Sequence, residues 1–234
     1  IRAFNPEEYW TVHGTFQTEK GEAITANLTH LDGEKLGKFS LNSEEKAKNA
    51  LGALEQGTYS VGSVTKKQTK RRPSPPFITS TLQQEASRKL GLSAKQTMQT
   101  AQRLYEGVDI GGETVGLITY MRTDSVFLAA EALNTTRDTI TQKYGKDYCP
   151  EKPNFYKTKA KSAQEAHEAI RPSDAGRTPE QLKGKLDAQQ FKLYDLIWKR
   201  TMASQMTEAL MDRTTLEIVA EKHIFRATGS IIAF

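Results

Sequence analysis

Tyr120 and Arg122 stand two apart in the run LITYMRTDS. In an extended strand alternate side chains share a face, so this spacing predicts that the phenol and the guanidinium project together, with Thr119 and Met121 on the other side. Such a pair suits a phosphate. A phenolic oxygen can form an ester with phosphorus, and a guanidinium can donate two hydrogen bonds to the non-bridging oxygens as negative charge builds. Lysine in place of Arg122 would keep the charge and lose the fork. His167 and Arg171, in QEAHEAIRP, would lie on one face of a helical turn. An imidazole titrates near neutrality and could donate to a phosphate or exchange a proton with a sugar hydroxyl. Taken singly, each residue also has a plainer reading: a half-buried strand tyrosine, a surface cation, a histidine satisfied beside Glu165 and Glu168.

The elements that must hold these groups are legible in outline. YWTVHGTF and GEAITANLTHLDGEK predict strands, the second ending in an Asp-Gly hairpin signal. Asn42 with Glu45 predicts a capped helix to about residue 56, followed by a strand in TYSVGSV. KKQTKRRPSPPF mixes bases with prolines and predicts a connection between domains. Ser80 with Gln83, and Ser93 with Gln96, predict two capped helices separated by Gly91, the second carrying Met98, Ala101, Leu104 and Tyr105 at helical spacing. This pair fits a helix-turn-helix or an ordinary helical hairpin. LITYM predicts a strand, 126–144 a long helix, and Ser162 with Glu165 a short capped helix that Pro172 stops. DAQQFKLYDLIWKRTMASQM predicts an amphipathic helix, and TTLEIVA and HIFRATGSII two closing strands. With β segments at both ends and helices between, the expected fold is multidomain α+β. A β-rich domain, 1–72 and 179–234, is split by an inserted, mostly helical domain at 73–178.

Composition narrows the class. At 37% hydrophobic and 26% charged residues, the chain of 234 has the material for real cores. No apolar run approaches the roughly 20 residues of a membrane span, so a cytoplasmic monomer with no membrane partner is expected. The single cysteine, Cys149, excludes an internal disulfide or a cysteine-based zinc ribbon in these residues. The net charge of +5 is unevenly placed. Between residues 62 and 105 lie Lys66, Lys67, Lys70, Arg71, Arg72, Arg88, Lys89, Lys95 and Arg103, against Glu85 alone. Such a block fits a nucleic-acid surface or a self-repelling linker.

Three strings in order, PPFITSTLQQEASRKLGLSAKQTMQTAQRLYEG, GLITYMRTDS and SAQEAHEAIRPSD, resemble the signature run of bacterial type IA topoisomerases. FNPEEYWTVHGTF, LYDLIWKRTMASQM and TTLEIVA resemble the arch-forming domain that flanks the tyrosine domain there, so the similarity covers essentially the whole chain. The resemblance implies that Tyr120 is the nucleophile that joins a 5′ phosphate of single-stranded or underwound DNA. It implies that Arg122 holds the scissile phosphate, that His167 contacts it or moves protons nearby, and that Arg171 touches the DNA backbone or supports the site. The inserted domain would be winged-helix-like, with Thr81, Arg88, Lys89, Lys95 and Arg103 facing DNA. The family's Toprim domain, which binds Mg2+ and supplies a catalytic lysine, lies outside these residues, so no metal is expected here and the chain alone is expected to be inactive. A free phenol ionises only near pH 10, so the nucleophile needs those groups. A non-enzymatic winged-helix DNA-binding module is the rival. A tyrosine recombinase or type IB enzyme fits less well, since Arg122, His167 and Arg171 all follow the tyrosine.

Overall fold

Asp32 and Gly33 both take positive φ, 53° and 85°, the conformation that a two-residue hairpin requires of its turn. The Asp-Gly signal therefore does what the sequence predicts. The computed structural model describes residues 5–55, 57–157 and 168–234. Its strands in chain order are β1 (His13–Gln17), β2 (Ala23–Leu31), β3 (Glu34–Lys35), β4 (Ser60–Arg71), β5 (Val108–Asp109), β6 (Thr114–Val115), β7 (Ala209–Ala220) and β8 (His223–Ile232). Its α-helices are α1 (Glu44–Leu54), α2 (Thr79–Leu90), α3 (Ala94–Glu106), α4 (Ala130–Tyr144) and α5 (Ala188–Ser204).

The chain divides into one unit made of Ile1–Arg71 with Ala209–Phe234, and a second made of Arg72–Glu208. The first unit holds an antiparallel sheet in the order β1-β2-β8-β7-β4, with β3 beside β2. One face of that sheet is apolar: Leu28, Ile218 and Phe225 pack with Leu41, Ala50 and Leu54, the last two on α1. Helix α1 starts one residue later than Asn42 suggests. Ser43 is the cap, and its hydroxyl accepts from the Lys46 amide at 3.3 Å.

Two boundaries differ from the sequence expectation. KKQTKR is strand, not connection: Lys66–Arg71 pair residue by residue with Thr214 to Ala209 in the ladder between β4 and β7. A long partner strand outweighs the weak β preference of lysine, because sheet propensity is mostly a matter of what lies alongside. The basic run is thereby shared out, with Lys66, Lys67, Lys70 and Arg71 in the first unit and the remainder in the second. The inserted unit also runs on past 178 to Glu208. The cause is α5, whose Leu193, Tyr194, Ile197, Trp198 and Met202 are buried with Leu82, Ala86, Ala101 and Leu104 of α2 and α3. Trp198 donates to the Ala175 carbonyl at 2.9 Å and Tyr194 to that of Arg177 at 2.6 Å, which fixes the helix to the insert. An amphipathic pattern shows that a helix has a core to join, not which core.

Candidate active site

Two helix ends and the segment 116–123 build the site. Gly91, in left-handed conformation at φ 68°, closes α2, and a reciprocal capping box of Ser93 and Gln96 opens α3, as the sequence predicts. Ile78, not Ser80, stands at the start of α2, where its amide donates to the Thr81 hydroxyl at 3.0 Å. The short ribbon of β5 and β6 then leads into 116–123.

That segment joins no sheet and bends at Met121; Ile118 makes an isolated antiparallel bridge with Pro172, and Phe77 another with Ile170. Its inward side is fastened at several points. The Thr119 amide donates to the Arg171 carbonyl at 2.9 Å, its hydroxyl donates to the Ala169 carbonyl at 2.7 Å and accepts from the Arg171 amide at 3.0 Å, and Met121 is fully buried. Thr79, in the first turn of α2, donates its hydroxyl to the Met121 carbonyl at 2.8 Å and accepts from the Thr123 amide at 2.9 Å. With Thr119 and Met121 held inward, Tyr120 is 44% exposed and Arg122 is exposed too. The alternation expected of a strand is present without the sheet.

The Tyr120 ring leans edge-on against Tyr105 of α3, centroids 5.3 Å apart. Arg122 opens onto a groove of about 820 Å³ whose other wall is α3, through Met98, Gln99, Gln102, Arg103 and Glu106. Arg103 is also paired with Asp187 at 3.2 Å. Tyr105 is the contact that sequence reasoning did not single out; its helical spacing with Leu104 marked it only as a packing residue.

The other expected contacts fall in different places. His167 and the predicted capping pair Ser162 and Glu165 lie outside the described residues. Arg171 is not on a helical turn, because Ile170 and Pro172 are bridge residues of an extended segment. Its guanidinium donates twice to Glu168, at 2.5 and 3.3 Å, and again to the Pro172 carbonyl at 2.9 Å. Those bonds fit the supporting role better than a hand free for DNA. Glu168 in turn accepts from the Ala129 amide at 2.6 Å and so caps α4, which begins at Ala130 and not near 126.

Arg88 and Lys89 are exposed and share Glu85, each at 3.1 Å; Lys95 is exposed on the first turn of α3. Thr81, Arg88, Asp124, Lys157 and Arg200 line a second pocket of about 440 Å³. Burial pushes the Glu85 carboxyl in its wall up, but the hydrogen bond and charge of Lys89, with Arg200 and Arg88, outweigh this and hold it below the usual range. Among the described residues no three His, Cys, Asp or Glu converge as a metal site, and no helix is long and apolar enough to cross a membrane.

The family model described as DNA topoisomerase matches residues 1–234. The chain belongs to the bacterial type IA DNA topoisomerases. Over its whole length it is 52% identical to DNA topoisomerase 1 of Rickettsia felis, covering 30% of that protein. With DNA topoisomerase 1 of Xylella fastidiosa it shares 49% identity over 99% of the chain and 29% of the relative. The full-length topoisomerase I from Thermotoga maritima superposes on all of the chain with a TM-score of 0.73 at 33% identity, covering 36% of that structure. The chain thus spans about a third of the length of these topoisomerases.

The Thr79 hydroxyl ties the first turn of α2 to the segment at Met121 and Thr123. Thr79→Val keeps the shape of the side chain and leaves the Met121 carbonyl and the Thr123 amide without their partner. The expected loss is about 1–3 kcal/mol of stability, the cost of unsatisfied half-buried polar groups, read as a lower urea midpoint followed by the fluorescence of buried Trp198.

Proposed function

We propose that this chain supplies the nucleophile and part of the phosphate-binding surface of a type IA topoisomerase, which relaxes negatively supercoiled DNA by cutting one strand and passing another through the gap. The Tyr120 phenolic oxygen attacks the phosphorus and gives up its proton. The bond from phosphorus to the 3′ oxygen breaks, that oxygen takes a proton, and a 5′-phosphotyrosine remains. Resealing is the reverse attack by the 3′ hydroxyl. Arg122 donates to the non-bridging oxygens as they gain charge. His167 is assigned to the same phosphate through the resemblance, and Arg171 to support of the segment. The partners are single-stranded or underwound DNA and the Toprim part of the same protein.

The observation that carries this reading is the exposure of Tyr120 and Arg122 on a segment whose intervening Met121 is fully buried. A segment fastened through Thr119, Met121 and Thr123 holds the exposed residues between these points in place, which is what an attacking group needs. The first unit is read as the family's arch, and the insert as the winged-helix-like tyrosine domain. Mg2+ belongs, by the same resemblance, to the Toprim part. When bound there it would offset phosphate charge, and no residue of the present site is assigned to hold it.

The expected result is that these 234 residues, incubated with negatively supercoiled plasmid and Mg2+, leave the topoisomer distribution unchanged on a gel. Addition of a Toprim-bearing segment from a relative is expected to yield a denaturant-resistant adduct with single-stranded DNA. Relaxation by the chain alone would refute the division of labour proposed here.

A further inference from the structure

Hydrogen bonds through Thr119, Met121 and Thr123 fix the main chain on either side of Tyr120, but none of them reaches its ring. A tyrosine has three staggered choices at its first side-chain torsion, and each change of well sweeps the phenolic oxygen through a wide arc. Attack on phosphorus needs that oxygen in one place and along one line. A group beside the ring must therefore choose among the wells.

Among the described residues the one aromatic ring against Tyr120 is Tyr105, with centroids 5.3 Å apart and planes at 65°. Aromatic pairs attract at that spacing and tilt, positive edge to negative face. Tyr105 is held more firmly than the ring it touches. It lies in the last turn of α3, where the helical backbone disfavours one of the three wells. That turn is anchored on both sides. Leu104 is fully buried and its carbonyl accepts from the Leu117 amide at 2.7 Å, while the Gly107 amide donates to the Arg103 carbonyl at 3.2 Å. The Tyr105 carbonyl itself lies so close to Gly116 that a Cβ there would be 2.5 Å away. Packing is the ordinary use of such a ring, yet Ala101 and Leu104 are fully buried, whereas Tyr105 is 40% exposed and stands outside the apolar core that they join.

The geometry points to Tyr105 as a positioning residue for the reaction at Tyr120. Its ring holds the phenol toward α3, the helix that also walls the groove onto which Arg122 opens. The inference rests on the reading of Tyr120 as the nucleophile. Tyr105 acts through that side chain alone and bonds to neither phosphorus nor DNA. Its contribution is to the rate of a bound complex, not to the binding of DNA.

The test follows single-turnover adduct formation by the full chain, supplied with a relative's Toprim segment and Mg2+, over a range of single-stranded DNA concentrations. Tyr105→Leu keeps an apolar helix former and removes the ring. It is expected to lower the maximal rate about tenfold, the upper end of what an aromatic pair contributes, with the half-saturating DNA concentration unchanged. Tyr105→Phe restores the ring without its hydroxyl and is expected to react within about twofold of the parent. Tyr144→Leu removes a matched ring, 39% exposed at the end of α4 and paired with Tyr148, and is expected to change neither quantity. A meta-fluorotyrosine placed at position 120 alone reads the contact without DNA. Its fluorine resonance is expected to move toward that of a free, exposed phenol in Tyr105→Leu and to stay at the parental position in Tyr105→Phe. A parental maximal rate in Tyr105→Leu, an equal fall in the Leu and Phe variants, a raised half-saturating concentration in place of a slower rate, or a fluorine resonance indifferent to the missing ring would each overturn the assignment. A parent that forms no adduct refutes the proposed function and this role with it, whereas a reactive parent beside an equally reactive Tyr105→Leu loses only the role.

Discussion

A Tyr120→Phe chain, supplied with a relative's Toprim segment, Mg2+ and single-stranded DNA, is expected to form no denaturant-resistant adduct at all, while its fold and DNA affinity stay close to those of the parent. The substitution deletes one oxygen from a ring that is 44% exposed and leaves its edge-on contact with Tyr105 in place. Surface changes of this kind move stability by no more than about 0.5 kcal/mol. What is lost is the only atom proposed to bond to phosphorus, so the effect is all or none. Arg122 gives the graded counterpart. Its guanidinium has no salt bridge among the described residues and faces the groove beside α3, so Arg122→Ala should fold normally and slow adduct formation by about 10²–10³-fold, the usual cost of one donor to a developing oxyanion. Arg122→Lys should fall between, because an ammonium keeps the charge without the paired geometry. A Tyr120→Phe chain that still yields a covalent adduct would move the nucleophile elsewhere. An Arg122→Ala chain that reacts at the parental rate would reduce that residue to a surface cation.

Much of this site was readable from residue order, and the failures have identifiable causes. The exposure of Tyr120 and Arg122 on either side of buried Met121 follows a two-residue alternation, although the segment bridges to Pro172 and joins no sheet. The caps at Gly91 and Ser93 are local chemistry and came through intact. Arg171 is not on the helical turn that the spacing predicts, because spacing by four cannot tell a helix from other backbone, and the chain at Ile170 and Pro172 is claimed by bridges to Phe77 and Ile118. The partner that saturates it, Glu168, is close in sequence, yet its carboxylate also caps α4 from 39 residues away, a tie no local pattern encodes. The same limit explains Tyr105, whose contact with Tyr120 is set by the return of the chain through β5 and β6. It also explains α5, whose apolar face was evident and whose destination was not. Register is the strongest case: Lys67 opposite Arg213 cannot be foreseen from either strand alone.

Gly116 is where this close return of the chain is tightest, and an added methyl group there should disturb both fold and chemistry. A Cβ at Gly116 would lie 2.5 Å from the carbonyl oxygen of Tyr105, and that oxygen is backbone, so no side chain can swing aside. The neighbouring Leu117 amide donates to the Leu104 carbonyl at 2.7 Å, and the Ser173 hydroxyl donates to the Gly116 carbonyl at 2.6 Å, so the segment is held on both sides of the clash. To accommodate Ala, the last turn of α3 and the 116–120 segment must part, and with them the Tyr105 and Tyr120 rings. Gly116→Ala is therefore expected to cost about 1–3 kcal/mol, the range for forced overpacking, and to slow adduct formation in conditions where the variant is still folded. Gly52→Ala, inside α1 with open space around the new Cβ, is expected to act in the opposite direction, gaining about 0.5–1 kcal/mol from reduced backbone freedom in the unfolded chain. In a Trp10→Phe background, urea unfolding followed by Trp198 fluorescence reports the second unit, and far-ultraviolet dichroism reports both. If Gly116→Ala unfolds at the parental midpoint and reacts at the parental rate, the close approach of Tyr105 and Gly116 does not position the nucleophile.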